Sequence, residues 1–260
     1  MTTMYYKYQG AGNDFVMIDN RQNQFDKNNT NLVASLCDRH FGIGADGLIL
    51  IESHRDYDFQ MVYFNADGKQ SSMCGNGGRC AVSFAFHLGL IQNKTEFLAI
   101  DGVHEALVYE NGEIIDLKMI DVELIKHFED HFFLDTGSPH HVEFHKDISK
   151  IDVQQNGSTI RYGAPYFDSG SNVNFVQAIG PNRIKLRTYE RGVEGETLAC
   201  GTGATAAAIA YHLSKQTDQN QIYVEVLGGE LSVRFIQNEE QFNNVWLKGP
   251  AKPVFKATLL

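Results

Sequence analysis

At 260 residues the chain can form one large domain or two of middling size, and 43% hydrophobic with 21% charged residues fits an ordinary soluble globular protein, not a disordered or fibrous one. A net charge of −10 argues against nucleic acid as the main partner. No run reaches the roughly 18 apolar residues of a membrane span, no secretory signal opens the chain, and four cysteines without paired spacing read as reduced thiols in a cytoplasmic protein.

In chain order, strands are expected at Tyr5–Tyr8 and Phe15–Asp19, flanking the turn Gly10-Ala-Gly-Asn-Asp14. A short helix follows around 31–38, with Cys37 on its apolar side and expected in the core. Strands at 48–51 and 59–64 lead into the turn Asn65-Ala-Asp-Gly68. A helix then runs from Cys74 to about Gly89, followed by short alternating stretches at 97–100, 105–109 and 114–119. The pattern restarts at Ile120. Strands are expected at 132–135, 141–144, 173–178 and 184–189, then a helix from Cys200, then hairpins at 221–226, 230–236 and 244–247. Pro250 and Pro253 mark a hinge before the tail 254–260.

Two stretches stand out: Met73-Cys-Gly-Asn-Gly-Gly-Arg-Cys80 and Leu198-Ala-Cys-Gly-Thr-Gly-Ala204. Each places a Cys-Gly-x-Gly run at the start of a helix, the second so rich in alanine and other small or apolar residues that it should be buried. Asp14 and His140, Asp46 and Asn172, Tyr63 and Tyr189, and Cys74 and Cys200 are each 126 residues apart. That period is too long for a solenoid and suggests a duplicated domain, two similar lobes facing across a cleft.

A cysteine at a helix N-terminus is more readily ionised, and the N–H groups of Gly75, Asn76, Gly201 and Thr202 suit a carboxylate. Two such cysteines on twin lobes suggest stereoinversion, one thiolate removing a proton from carbon while the opposite thiol delivers one to the other face. Tight strand-to-helix turns, a redox disulfide, or a cysteine hydrolase using Cys200 with His140 are the competing readings. The last would need only one thiol. The histidines at 127, 131, 140, 141 and 145 include an i,i+4 pair, but no cysteine or carboxylate cluster completes a zinc site, so no metal is expected.

Together with Gly12-Asn13-Asp-Phe, Phe64-Asn65-Ala-Asp-Gly and Glu190-Arg191-Gly, these motifs resemble the signature of diaminopimelate epimerase over nearly the whole chain. The resemblance implies a cofactor-independent enzyme that interconverts LL- and meso-2,6-diaminopimelate, in lysine and peptidoglycan precursor biosynthesis, and acts as a homodimer on a small-molecule substrate. It implies an α/β (α+β) fold of two pseudo-symmetric lobes, each a curled, barrel-like mixed sheet around a central helix. The expected division is 1–119 with 252–260 and 120–251, with the active site in the cleft. By position, Cys74 and Cys200 would be the acid/base pair and His140 and Glu190 would tune the thiols. Asn13, Asn65, Asn172 and Arg191 would hold the substrate, in particular its distal centre, Ser138 would be a further substrate contact, and Glu190 would meet the ammonium at the reacting carbon. The chain departs from the family at Ser138 (asparagine in many members), Gly47 (glutamine in some), Glu194 (one extra residue in its loop) and Phe255 (a dimer-linked tyrosine in one branch). Proline and hydroxyproline racemases are the nearest rivals, but their first motif reads Cys-Gly-His-Gly where Asn76 stands here.

Overall fold

The computed structural model describes residues 3–71 and 74–259; Met73 at the head of the first cysteine motif and Leu260 at the end of the tail fall outside them. The chain forms two compact units, Met1–Leu117 with Gly249–Leu260, and Lys118–Lys248.

In the first unit β1 (Tyr5–Gly10) and β2 (Asn13–Asp19) make a hairpin, and both turn residues, Ala11 and Gly12, have positive φ. That turn matches the right-handed twist of paired strands. The helix α1 (Thr30–Cys37) is capped by Asn29, whose side chain accepts from Leu32 N. Its buried face is Val33, Leu36 and Cys37, and burial pushes the Cys37 thiol up to about 11. Next, β3 (Gly47–Glu52) lies parallel to β2 and β4 (Phe59–Asn65) antiparallel to β3. Every residue of β3 is buried, as its Gly-Leu-Ile-Leu-Ile-Glu sequence leads one to expect of a strand covered on both faces. The helix α2 (Gly75–His87) follows, then β5 (Lys94–Ala99) parallel to β4, and β6 (Gly102–Tyr109) and β7 (Ile114–Lys118) as an antiparallel meander.

The second unit contains β8 (Ile125–His127), β9 (Phe132–Asp135), β10 (Pro139–Phe144), the helix α3 (Val153–Tyr162), β11 (Asn172–Gly180), β12 (Arg183–Glu190) and β13 (Gly195–Thr197). The helix α4 (Gly201–Leu213) and the strands β14 (Gln221–Val226), β15 (Gly229–Asn238) and β16 (Gln241–Pro250) follow, the last two residues of β16 belonging to the first unit. The final strand, β17 (Lys252–Ala257), pairs with β1, so the segment expected as a tail is mostly sheet. Pro253 is tolerated because β17 is exposed along its length.

The units share one plan. Gly75–His87 and Gly201–Leu213 correspond end to end at an offset of 126, and so do their C-caps, Leu88 and Ser214. The parallel pair β2 and β3 matches Phe15 with Gly47; β10 and β11 match His141 with Val173, the same register at the same offset. Helix α2 packs against β1, β2, β3, β4, β6 and β17, and α4 against β9, β10, β11, β12, β14 and β15. Each sheet therefore curls about its helix. That geometry explains α4's sequence: a helix enclosed by strands has no solvent face to make polar, and alanine lets the strands approach closely while favouring the helix.

Candidate active site

Both cysteines are N-caps in extended conformation, and neither side chain caps its helix. Cys74 O accepts from Gly78 N at 2.7 Å and Cys200 O from Ala204 N at 2.9 Å. An α-helix offers no internal acceptor to its first N–H groups, so both starts favour negative charge beside the sulfur.

The first turn of α2, Gly-Asn-Gly-Gly, has poor intrinsic helix propensity, and tertiary bonds hold it. The amide of Asn76 donates to Asn13 Oδ1, while Asn76 Oδ1 accepts from Arg79 Nη2 at 2.7 Å. Asn13 Nδ2 donates to Asp46 Oδ2 at 2.8 Å, and Asp46 Oδ1 accepts from Arg39 Nη2 at 2.6 Å. Asp14, next in sequence, pairs with Lys7 at 2.7 Å and Arg39 at 2.8 Å. Burial pushes the Asp14 carboxyl up, but the bonds from Arg39 and Lys7 outweigh it and hold it at about 2. An ionic cluster thus fixes Asn13, and Asn13 fixes the helix start. Asn13 keeps one amide hydrogen and one lone pair for a ligand. Asn65 is the exposed last residue of β4, and its carbonyl accepts from Gly68 N at 2.9 Å across the turn that follows.

Gly47, opposite Asn65 in the β3–β4 ladder, has no room for a side chain. A Cβ there would lie 2.5 Å from Phe64 O and 2.6 Å from Tyr63 Cε2. The absence of glutamine at this position is thus built into the backbone.

In the second unit Asn172 joins two other predicted residues, Ser138 and Arg191. Its Nδ2 donates to Ser138 Oγ at 2.9 Å and Pro139 O at 3.0 Å, and its Oδ1 accepts from Arg191 N at 2.9 Å. Ser138 is therefore a partner of Asn172. The Arg191 guanidinium is exposed and donates to Ser169 O at 2.8 Å. Glu190 ends β12 opposite Gly195, and its carbonyl accepts from Glu194 N at 2.8 Å. Glu194, at φ 58°, is anchored by Arg161 Nη2 at 3.3 Å, Gly192 N at 3.0 Å and Tyr189 Oη at 3.2 Å. The extra residue of this loop is thus tied down on α3.

His140 is fully buried and its Nδ1 accepts from Asn174 Nδ2 at 3.0 Å. The ring proton then belongs on Nε2, which is buried without a hydrogen-bond partner among the described residues. Burial, with the Arg191 charge, pushes the imidazole down to about 3, so the ring is neutral. Asn174 also donates to His141 O at 2.9 Å and accepts from Thr188 Oγ1 at 3.1 Å. Cys200 Sγ and Thr202 Oγ1 are 3.5 Å apart, and Thr202 O accepts from Thr136 Oγ1 at 2.9 Å.

Asp46, Arg79, Thr136 and Asn174 support these sites and were not expected there. Asn174 had a signal: it lies two residues from Asn172, on the same face of β11. Arg79 is one helical turn after Asn76 and inside the motif itself. Among the described residues no group of three or more His, Cys, Asp or Glu is arranged to hold a metal ion.

The family model described as "Diaminopimelate epimerase" matches residues 5–124 and 132–254. A curated diaminopimelate epimerase of Flavobacterium psychrophilum is 56% identical over 254 residues, covering 98% of this chain and 99% of the relative. One of Aquifex aeolicus is 40% identical, covering 98% and 97%. Among solved structures, a phenazine biosynthesis protein of the PhzF family from Bacillus anthracis superposes with TM-score 0.78 at 14% identity, covering 100% and 99%. A probable proline racemase from Agrobacterium radiobacter reaches 0.67 at 13%, covering 100% and 93%. At such identities these two speak for the fold alone. The first two, with the family model, cover both cysteine-headed helices and the strands around them. The chain belongs to the diaminopimelate epimerase family.

Proposed function

We propose that this chain interconverts LL- and meso-2,6-diaminopimelate, an isomerase of lysine biosynthesis, by proton transfer between two thiols. In support, a relative named diaminopimelate epimerase is 56% identical over nearly the full length of both chains. The observation that carries the mechanism is internal: each unit places one cysteine at the N-cap of an enclosed helix, at the same position of the same plan.

In this reading one sulfur, as thiolate, removes the α-proton. The electron pair of the C–H bond moves toward the carboxylate, whose growing charge the helix-start N–H groups of Gly75, Asn76, Gly201 and Thr202 stabilise. The other sulfur, as thiol, delivers a proton to the opposite face. The thiols end with their protonation states exchanged, so the reverse reaction uses the same groups. Both the acceptor and the donor of the proton are side chains, and neither pyridoxal phosphate nor a metal is required by the chemistry.

Asn13, Asn65, Asn172 and Arg191 hold the distal amino-acid centre, Ser138 is a further substrate contact, and Glu190 meets the reacting ammonium. An arginine fork suits a carboxylate, and asparagine serves either charge. Glu190 and His140 tune the thiols. The neutral ring and the unpartnered Nε2–H support this for His140, because that N–H can stabilise a nearby anion without itself carrying charge. A homodimer in the cytoplasm completes the proposal; no helix among the described residues is long and apolar enough to cross a membrane. The test is stereochemical assay of purified protein on LL-diaminopimelate without added cofactor. Formation of meso product supports the proposal, and turnover of proline in its place would move the activity to the racemase branch.

A further inference from the structure

Arg79 is fully buried on α2, yet no carboxylate among the described residues forms an ion pair with it. Its guanidinium donates to Asn76 Oδ1 at 2.7 Å and, at 3.4 Å, to Gly75 O and Pro250 O. All three acceptors are neutral. A cation taken wholly out of water is costly unless an anion accompanies it. The two groups able to supply one are thiols, Cys80 and then Cys74, whose fields act on Arg79 against the downward push of burial. Cys80 is fully buried as well, and that burial pushes its thiol up to about 12, so it stays protonated. Cys74, only half-buried, is left as the counter-anion.

The second unit lacks this charge. The position 126 residues after Arg79 is Thr205, whose Oγ1 donates to Gly201 O at 3.1 Å, the counterpart of the Arg79 contact with Gly75 O. The same carbonyl is thus served by a cation in one unit and a hydroxyl in the other. Helix dipole and N-cap geometry are shared, so they do not distinguish the sulfurs. His140 is neutral, and Arg191, the cation that acts on it, is exposed and water-screened. Most charged groups on elements around α2 have partners of their own, and Glu110 and Lys256 are exposed to water. Lys7 on β1 is with Asp14 on β2, Glu52 on β3 with Lys27, His104 on β6 with Asp101, Glu105 on β6 with Lys94, and Lys252 on β17 with Glu113. His87, at the far end of α2, bonds Tyr8 Oη at 2.9 Å.

We infer that Arg79 is the internal counter-charge that keeps the anion of the thiol pair on Cys74, making Cys74 the resting base and Cys200 the resting acid. The inference rests on the two-thiol reading and specifies its starting state. Arg79 is a positioning residue: it acts through Cys74 and does not itself react.

The test is the pH dependence of iodoacetamide alkylation in the full-length protein, read separately for Cys74 and Cys200 by peptide mass spectrometry. In the unaltered protein the Cys74 midpoint should lie below that of Cys200 by roughly one to three pH units, the range for a neighbouring opposite charge. Arg79→Gln should raise the Cys74 midpoint by about one unit or more and leave Cys200 unmoved, while Arg79→Lys keeps most of the difference. Equal midpoints, or Cys200 below Cys74, in the unaltered protein overturn the inference and need no variant to be stable. So does an Arg79→Gln shift shared equally by both cysteines, or an Arg79→Lys shift as large as that of Arg79→Gln. Because the readout is alkylation, it stands apart from turnover by the cysteine variants, which tests the two-thiol mechanism itself.

Discussion

Gly203 and Asn174 are so close that a Cβ on the glycine would lie 2.5 Å from Asn174 Oδ1, with Cys200 Sγ 3.3 Å away. Asn174 cannot yield cheaply, since it is bonded to His140, His141 and Thr188 inside the core. Gly203→Ala should therefore push on either the cysteine or the asparagine–histidine pair. We expect a stability loss of about 1–3 kcal/mol and a fall in kcat on the order of 10-fold or more. Unchanged kcat and unchanged denaturant midpoint would show that the turn gives way freely.

His140 sets a pH dependence of stability. Its folded-state pKa, about 3, is below the unfolded value, so between roughly pH 6.5 and pH 3 the unfolded chain binds a proton that the native one does not. Stability should fall as pH drops through that window, by at most about 1.4 kcal/mol per pH unit from this one site. Asp14 acts lower: its depressed pKa, about 2, contributes stability above the unfolded value that disappears as pH falls toward 2. Urea titrations at pH 7, 6, 5 and 4 on the unaltered protein and on His140→Gln should show a shallower slope for the variant. Parallel slopes would contradict the assignment of a buried neutral ring.

Glu194 ties the loop between Glu190 and Cys200 to Arg161 and Tyr189. Replacing it with glycine relieves a left-handed backbone but releases the loop that carries Arg191. If that loop positions the distal end of the substrate, KM should rise roughly 3- to 10-fold with kcat less affected. A loss confined to kcat would place the loop's role at the reacting carbon instead.

Gly47→Gln, which restores the residue some relatives carry, should destabilise this protein by about 1–3 kcal/mol, because the new Cβ overlaps Phe64 O and Tyr63. A thermal melt decides it: an unchanged Tm would mean that β3 and β4 can separate without cost.

The cysteine-headed helices, most of the strands and the fold class were legible because they rest on local pattern: helix starts, alternation and a fixed offset. Helix α3 was not seen. Its sequence, Val-Gln-Gln-Asn-Gly-Ser-Thr-Ile-Arg-Tyr, is polar and holds a glycine, and only Val153 and Gly157 are buried. Gly157 is there because Tyr189 packs on it; a Cβ would lie 2.4 Å from Tyr189 Cβ. Two signals were available. Asp152 and Gln155 have N-cap spacing, and Thr30–Cys37 shifted by 126 residues lands on 156–163. The side-chain network was beyond sequence reading for another reason. Asn13, Asp46 and Asn76 are 30 or more residues apart and meet only once the parallel strands and α2 are assembled. Neither alternation nor helical spacing records such a meeting. Nor could spacing say that Ser138 bonds Asn172, or that the strand around Phe255 pairs with β1.

The central claim is that two thiols share one proton transfer. Its most direct measurement is the incorporation of solvent deuterium at the α-carbon of LL-diaminopimelate, in D2O without added cofactor or metal, by the unaltered protein and by Cys74→Ala and Cys200→Ala. The account predicts deuterium in the meso product of the unaltered protein and no epimerisation by either variant. Near-normal epimerisation by one of the single variants would contradict it.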